Sequence, residues 1–324
     1  MKRISGYYGR TSEPKPFAYV DIPGEGPEKG EYIAHDKFYG GKLLTGKLEL
    51  ELEVISDYLF VGSGNYDLRE KDKLVYYSFF RTNGDLVIPG TSIKGAVRSV
   101  LEAISNSCVS QRGRREEHFA THKRCEFGLE KGKTNLCPSC KLFGTTGYAG
   151  RASFFDAHPE HSEKSDIEIV KIHELFPPKP KINKGKRKFY QNKKFNPVRN
   201  QRQERNCRFV EAVKKGSTFK SALSFQNIEK KELALLLYAM GIGQDYMIKI
   251  GGAKPRCFGT VRFIPTAIKL WADPLARVEE KSDKELGDFI TDVLGHRDLI
   301  VNDLLRQFRD GISKPNETCP MGVY

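Results

Sequence analysis

The sequence predicts an α+β fold, and three stretches carry that prediction. Residues 47–54 alternate strictly between polar and apolar side chains, the period of a strand with one buried face. After Pro89-Gly90, apolar residues recur at helical spacing as far as Ile104. Between 218 and 264, strand-like, helical and again strand-like patterns follow one another.

Taken in order, residues 1–45 are rich in Gly, Pro, Lys and Glu and read as an irregular arm. The first strand then presents Glu49, Glu51 and Glu53 to solvent. Gly62 to Lys73 combines Gly, Asn and charge, the marks of a loop. Leu74 to Phe80 is β-rich, and Asn83-Gly84 joins it to Leu86-Val87-Ile88 as a hairpin turn. Pro89-Gly90-Thr91-Ser92 starts a helix, with Thr91 or Ser92 as the expected N-cap. Ile93, Ala96, Val97, Val100, Leu101 and Ile104 share one face, while Lys94 and Arg98 share another.

Residues 105–141 hold four of the seven cysteines and little apolar periodicity. Gly144 to Gly150 is a glycine-rich turn, and Arg151 to Asp156 a short strand. Thr218–Phe225 reads as a strand, and Asn227 as the cap of a helix over 228–240. Gly251 to Gly259 is a glycine-rich loop before the strand Thr260–Ile264. A last amphipathic helix is expected over 284–308. This order suits a ferredoxin-like or RRM-like palm with large insertions.

The bulk numbers narrow the partners. The chain has 324 residues, 39% hydrophobic and 29% charged, with a net charge of +13. That composition is globular, and a pI near 9.3 points to a polyanion. No run of 18 apolar residues and no apolar leader stretch occurs, so a cytoplasmic protein is expected, with no membrane partner. Seven cysteines then read as cytoplasmic thiols rather than a disulfide framework.

Four constellations carry chemistry. Cys137-Pro138-Ser139-Cys140 places two thiolates on one tight turn, where both reach a single Zn²⁺. Cys108 and Cys125 complete a four-sulfur set, and His118 or His122 offers a replacement for one of them. A redox CxxC and plain free thiols are the competing readings. The metal's expected role is structural, a staple for a segment too poor in apolar residues to make its own core. The start of the helix at 90, with Ser92, Lys94 and Arg98, offers free N–H groups and charge to a phosphate. The glycine-rich loop lets a backbone approach a ligand at Gly251 and Gly252, with Lys254 and Arg256 beside it. Finally, Lys179 to Arg208 holds twelve basic residues and one acid, Glu204. Lys186, Arg187 and Lys188 lie there with Phe189, Tyr190 and Phe195 interleaved, a pattern suited to unpaired RNA.

In sequence order, several of these pieces resemble one family. Ile88-Pro89-Gly90-Thr91-Ser92-Ile93-Lys94-Gly95-Ala96-Val97-Arg98 resembles the "IPGSSLKGxxR" element of the RAMP (repeat-associated mysterious protein) superfamily. Leu142-Phe143-Gly144 through Phe155-Asp156 resembles its "LFG…GRxxxxDA" element. Gly251 to Val261 is similar to its C-terminal glycine-rich loop, with Pro255-Arg256-Cys257 departing from the usual pattern. Lys186 to Tyr190 and His35-Asp36-Lys37-Phe38 resemble the "GRKFY" and "HDRF" elements of type III CRISPR members.

The resemblance implies a ferredoxin-like palm, a thumb-like insertion and a filament of subunits along a guide RNA. It further implies other RAMP subunits and a large subunit as neighbours in a type III effector complex. It divides the chain into an arm (1–45), a core (46–265) and a C-terminal helical segment (266–324). The core carries a zinc-binding insertion at 105–141 and a basic thumb-like one at 160–215. In family members that cut target RNA, an aspartate between the first strand and the "IPG" element does so. Here the candidates are Asp72, Asp67 and, from the N-terminal element, Asp36. Three readings stand: a subunit that holds guide RNA and cuts the target, one that holds RNA without cutting, and a stand-alone nuclease for guide precursors. The last needs a histidine base beside Tyr or Lys, and the seven histidines are scattered.

Overall fold

Leu48, Leu50, Leu52 and Val54 point to one side of the strand Leu44–Val54, and each is at most 2% exposed. Burial of each contributes roughly 1.5–3 kcal/mol. This strand lies at the centre of the main sheet in the computed structural model. The structure describes residues 15–37, 42–110, 121–160, 166–174, 185–198, 204, 206–272 and 278–321.

Across the main sheet the order is Ala152–Phe154, Thr218–Ile228, Leu44–Val54, Thr260–Leu270 and Ile248–Lys249, with each neighbour antiparallel. Helix α1, Gly90–Ile104, supplies Ile93, Val97, Val100 and Leu101 to the same core as the central strand. Short helix α2 spans Pro138–Phe143. Helix α3, Lys230–Met240, is buried from Glu232 to its end. Helices α4, Asp283–Leu294, and α5, Asn302–Ile312, add Leu286, Ile290, Val293, Leu304, Leu305 and Phe308 to that core. The protein is thus a mixed α+β structure, richer in strands than in helices. Among the described residues no helix is long and apolar enough to cross a membrane.

A second sheet runs Ile167–His173, Cys207–Lys214, Leu74–Phe79, Gly62–Arg69. It joins two strands from the basic insertion to a hairpin that precedes α1. Val170, Ile172, Val210 and Ala212 form its small core with Phe258.

Several elements differ from their sequence expectation. Gly62–Arg69 is a strand rather than a loop. It is an edge strand, exposed at every residue but Ser63, so no buried face imposes an apolar alternation on it. Helix α1 begins at Gly90, after Pro89, and neither Thr91 nor Ser92 caps it. Asn227 is no cap; it belongs to the strand Thr218–Ile228 at φ +50°. Glu229 caps α3 in a reciprocal pair with Glu232. The expected last helix is two, because the chain leaves helical geometry between Leu294 and Asn302. The arm is not wholly irregular: Phe17–Asp21 pairs with Lys186–Tyr190 and Gly30–Glu31 with Asn135–Leu136. Cys257 and Cys319 form a disulfide with Cα atoms 6.0 Å apart, against the expectation of free thiols throughout. The folded chain brings these two together across 62 residues of sequence.

Candidate nucleic-acid interface and metal centre

The four cysteines expected to share a metal do converge. The sulfurs of Cys108, Cys125, Cys137 and Cys140 all lie within 4.8 Å of one another, and all four residues are buried. Cys137 sits just before α2 with Pro138 at its first position, which turns Cys140 back toward Cys137 within one turn. The Cys137 amide donates to Cys125 Sγ at 3.3 Å, and Cys108 and Cys140 sulfurs are 3.3 Å apart. A tetrahedral zinc with 2.3 Å bonds sets its sulfurs roughly 3.8 Å apart, so this donor set fits a soft divalent ion. Among the described residues, Leu136 and Tyr148 join the cysteines in the buried cluster, with Tyr32 and Phe127 packed against it. That is too little apolar matter to hold the segment alone. His122 stands outside the donor set. Its ring nitrogens pair with Thr121 Oγ1 and Asn106 Oδ1, each at 2.9 Å. His118 lies outside the described residues.

Glu102, on the inner face of α1 and 3% exposed, welds this segment to the palm. Its Oε1 accepts from Arg98 Nε at 2.8 Å and from Ser139 Oγ at 3.0 Å. Its Oε2 accepts from Arg187 Nη1 at 3.2 Å and from the Ser110 amide at 3.1 Å. Arg98 also reaches the Gly144 carbonyl at 3.2 Å and Cys140 Sγ at 3.9 Å, while Arg187 donates to the Ser107 carbonyl at 3.0 Å. Burial pushes Arg187 below the usual guanidinium range, and Glu102 offsets part of that. Both arginines were expected to meet phosphate, yet the fold gives them internal partners. Arg187→Ala should therefore destabilise the chain by about 3 kcal/mol, the low end for a broken buried pair because Arg98 remains. Lys188→Ala next door, a surface change, should stay within about 0.5 kcal/mol. Chemical denaturation of the two variants compares them directly; equal midpoints would contradict this assignment.

The glycine-rich loop and the segment leading into α1 both bond to residues at the base of the hairpin. The Gly252 amide bonds the Phe60 carbonyl at 2.7 Å, the Phe80 amide bonds Val61 at 2.7 Å, and the Val87 amide bonds Phe80 at 3.0 Å. At the helix start, the Gly90 amide donates to Asp156 Oδ1 at 2.7 Å. A Cβ on Gly90 would lie 2.2 Å from the Phe154 carbonyl oxygen, so the position requires glycine. Asp156 thus occupies one amide of the expected phosphate cradle. Ser92 and Lys94 remain partly exposed, and burial, with Arg98 nearby, lowers the Lys94 pKa.

In the loop, Gly251 has φ +74° and its Cβ would meet the Phe60 carbonyl oxygen at 2.3 Å. Beneath it, the buried Lys249 ammonium donates to the Cys257 and Phe258 carbonyls and to Thr260 Oγ1, each at 3.0 Å. Burial pushes Lys249 down to about 7. Arg256, 3% exposed, is spent on the carbonyls of His173, Glu174 and Pro320. Lys254 is partly exposed, and burial lowers its pKa. Of the cations expected at these two motifs, Lys94 and Lys254 are therefore the ones the fold leaves most available.

The candidate catalytic aspartates fall in two places, Asp67 and Asp72 on one hairpin and Asp36 in the arm. Asp67 is exposed on the hairpin; one oxygen accepts from Tyr76 Oη at 3.0 Å and the other from the Leu68 amide at 2.7 Å. Burial and this carboxylate push Tyr76 up to about 12. Asp72, in the hairpin turn, is gripped through both oxygens by Arg69, which holds its carboxyl below the usual range. Asp36 is exposed in a bend of the arm.

The face of the central strand opposite the core carries paired charges of both signs. Glu49, Glu51 and Glu53 line it, with Glu49 paired to Lys269 at 3.0 Å and Glu53 to Arg262 at 3.2 Å. RRM domains stack bases on aromatic rings at the corresponding face, where this strand presents Glu49, Glu51 and Glu53. The basic segment is instead represented by Lys186, Lys188 and Tyr190 on the strand paired with the arm. Lys179, Lys181, Lys184, Arg199, Arg202 and Arg205 lie outside the described residues.

Glu102, Lys249 and Arg151 escaped the sequence reading. Arg151 is 3% exposed and joins Glu232 and the Asn227 carbonyl in a buried pair and bond. Two of them left a signal, a charge inside an apolar pattern: Glu102 among Leu101, Ala103 and Ile104, and Lys249 between Ile248 and Ile250.

Set against known proteins, the chain matches a family model described as the RAMP superfamily over residues 51–262. No curated protein matches it.

Proposed function

The chain belongs to the RAMP superfamily, and from that membership we propose that it is a guide-RNA-binding backbone subunit of a type III CRISPR effector complex. Its partners in this reading are the guide RNA, the target RNA, other RAMP subunits and the large subunit, in the cytoplasm. The family match is the observation that carries the proposal. Support comes from the net charge of +13 and from the two glycine-bearing motifs that leave Lys94 and Lys254 partly exposed.

The palm is ferredoxin-like in this reading. A strand, α1, two strands, α3 and a strand, in the spatial order 152–154, 218–228, 44–54, 260–270, form the βαββαβ arrangement. The arm is 1–45, the core 46–265 and the C-terminal segment 266–324. The insertion at 105–141 takes a structural zinc through Cys108, Cys125, Cys137 and Cys140, and that at 160–215 is thumb-like. Zinc would supply no chemistry to RNA there; it would fix the segment against α1.

Cleavage of the paired target by an aspartate of the hairpin completes the proposal. Of the two on the hairpin Asp67 is the candidate, because the Arg69 guanidinium engages both oxygens of Asp72 whereas Asp67 meets a phenol and a backbone amide. Those same bonds on Asp67 and Asp72 favour a second reading, in which the chain holds RNA without cutting it.

Binding of a labelled single-stranded RNA by the full chain, titrated across salt concentrations, tests the proposal. Affinity should fall steeply with salt and depend little on sequence. Lys94→Ala with Lys254→Ala should weaken all sequences alike and reduce the log–log slope by about 0.7 per cation. An affinity indifferent to salt would overturn the RNA reading.

A further inference from the structure

We propose that the ribbon formed by Phe17–Asp21 and Lys186–Tyr190 is a stacking platform for unpaired RNA bases, built from Phe17, Tyr19 and Tyr190 around Lys188. The proposal rests on the RNA-binding reading above and adds two residues of the arm to it.

The register fixes which side chains share a face. Phe17 stands opposite Tyr190, Tyr19 opposite Lys188 and Asp21 opposite Lys186. The alternate residues turn inward: Val20 is 1% exposed, Phe189 packs on Phe308 at 4.9 Å and Arg187 is held by Glu102. The other face therefore presents three rings and two lysines. Phe17 meets Tyr19 edge-on at 5.3 Å and Tyr190 at 6.4 Å. Lys188 Nζ lies 4.9 Å from the centroids of both Phe17 and Tyr190. Tyr19 is 36% exposed, and Lys186 pairs with Asp21 at 3.0 Å, whereas no carboxylate pairs with Lys188 among the described residues.

Rings held outward with a cation among them suit a partner that has both flat π-faces and negative charge. Single-stranded RNA has both: bases stack on the rings and phosphates meet the lysines. The inward anchors preset the rings, so little side-chain freedom is lost on binding.

The test compares full-length chains binding a labelled homopolymer RNA over a salt series. Tyr19→Leu with Tyr190→Leu keeps apolar bulk and should weaken binding about tenfold or more, since stacking is worth about 1–3 kcal/mol per base. The salt slope should stay unchanged, because rings release no counterions. Tyr19→Phe with Tyr190→Phe should restore the affinity, and Lys188→Ala should lower the slope by about 0.7. If the leucine pair binds as tightly as the wild type while the Lys94→Ala, Lys254→Ala chain weakens, the platform is overturned and the RNA reading stands. A leucine pair that keeps RNA affinity but no longer associates with other copies of the chain makes the ribbon a protein interface, and also overturns it. A wild type that binds no RNA ends both.

Discussion

A chain carrying Cys137→Ser and Cys140→Ser should lose its bound metal and unfold at markedly lower denaturant concentration. The wild type should carry about one zinc per chain. Structural zinc sites bind with apparent free energies of about 10–16 kcal/mol in isolated fingers, where binding and folding are one event. Here part of that organisation is already provided by Glu102, which ties Ser110 and Ser139 to α1. The loss should be smaller than that range yet larger than for any single surface change. The surroundings favour the loaded state as well. A divalent ion on four thiolates carries a net charge of about −2, and Arg98 lies 3.9 Å from Cys140 Sγ. Metal analysis, with unfolding curves before and after a chelator, reads both effects. Full zinc occupancy in the double variant, or a wild type indifferent to chelation, would sink the metal assignment.

In the assembled complex with guide and target RNA, replacing the cleaving aspartate should abolish one cut and leave the others. The chemistry is an in-line attack of a ribose 2′-OH on the adjacent phosphorus: the new O–P bond forms, the 5′-oxygen leaves, and a base takes the hydroxyl proton. A positioned general base contributes about 10²–10⁴-fold, so Asp67→Ala should slow its cut by that factor. Asp72→Ala should do less, since its carboxylate is already held by Arg69, and Asp36→Ala tests the arm. The isolated chain should be nearly inactive, because it cannot impose the in-line geometry on the target strand by itself. Mapping cleavage products on an end-labelled target separates the cases. If all three variants leave every cut in place while RNA binding is normal, the chain holds RNA and cuts nothing.

The four-cysteine cluster was legible because its donors are chemically distinctive and the CxxC spacing nearly fixes their geometry. The central strand was legible because Leu48, Leu50 and Leu52 alternate with Lys47, Glu49 and Glu51 about one buried face. Helix α1 was legible in its body but not at its start. Its first amide is satisfied by Asp156, 66 residues away, and no local pattern encodes that partner. The strand Gly62–Arg69 escaped for the opposite reason: it is held by ladder hydrogen bonds to Leu74–Phe79 rather than by a buried face.

Cations were the hardest to read. Lys94, Arg98, Arg187, Lys254 and Arg256 look alike in sequence as partners for phosphate. Their partners separate them: Arg98 meets Glu102 one helical turn away, Arg187 meets the same buried carboxylate from a distant strand, and Arg256 meets the carbonyls of His173, Glu174 and Pro320, while Lys94 and Lys254 stay partly exposed. The sequence by itself determined the α+β class, the family motifs in their order, the basic character and the four sulfur donors. These depend on residue type and short-range period. Tertiary structure alone decided which charges face inward, which strand joins the arm to the basic segment, and how Cys257 meets Cys319. Apart from the Arg98–Glu102 pair, one turn apart on α1, those outcomes depend on contacts between residues far apart in sequence, where burial sets the partner and no local pattern records it.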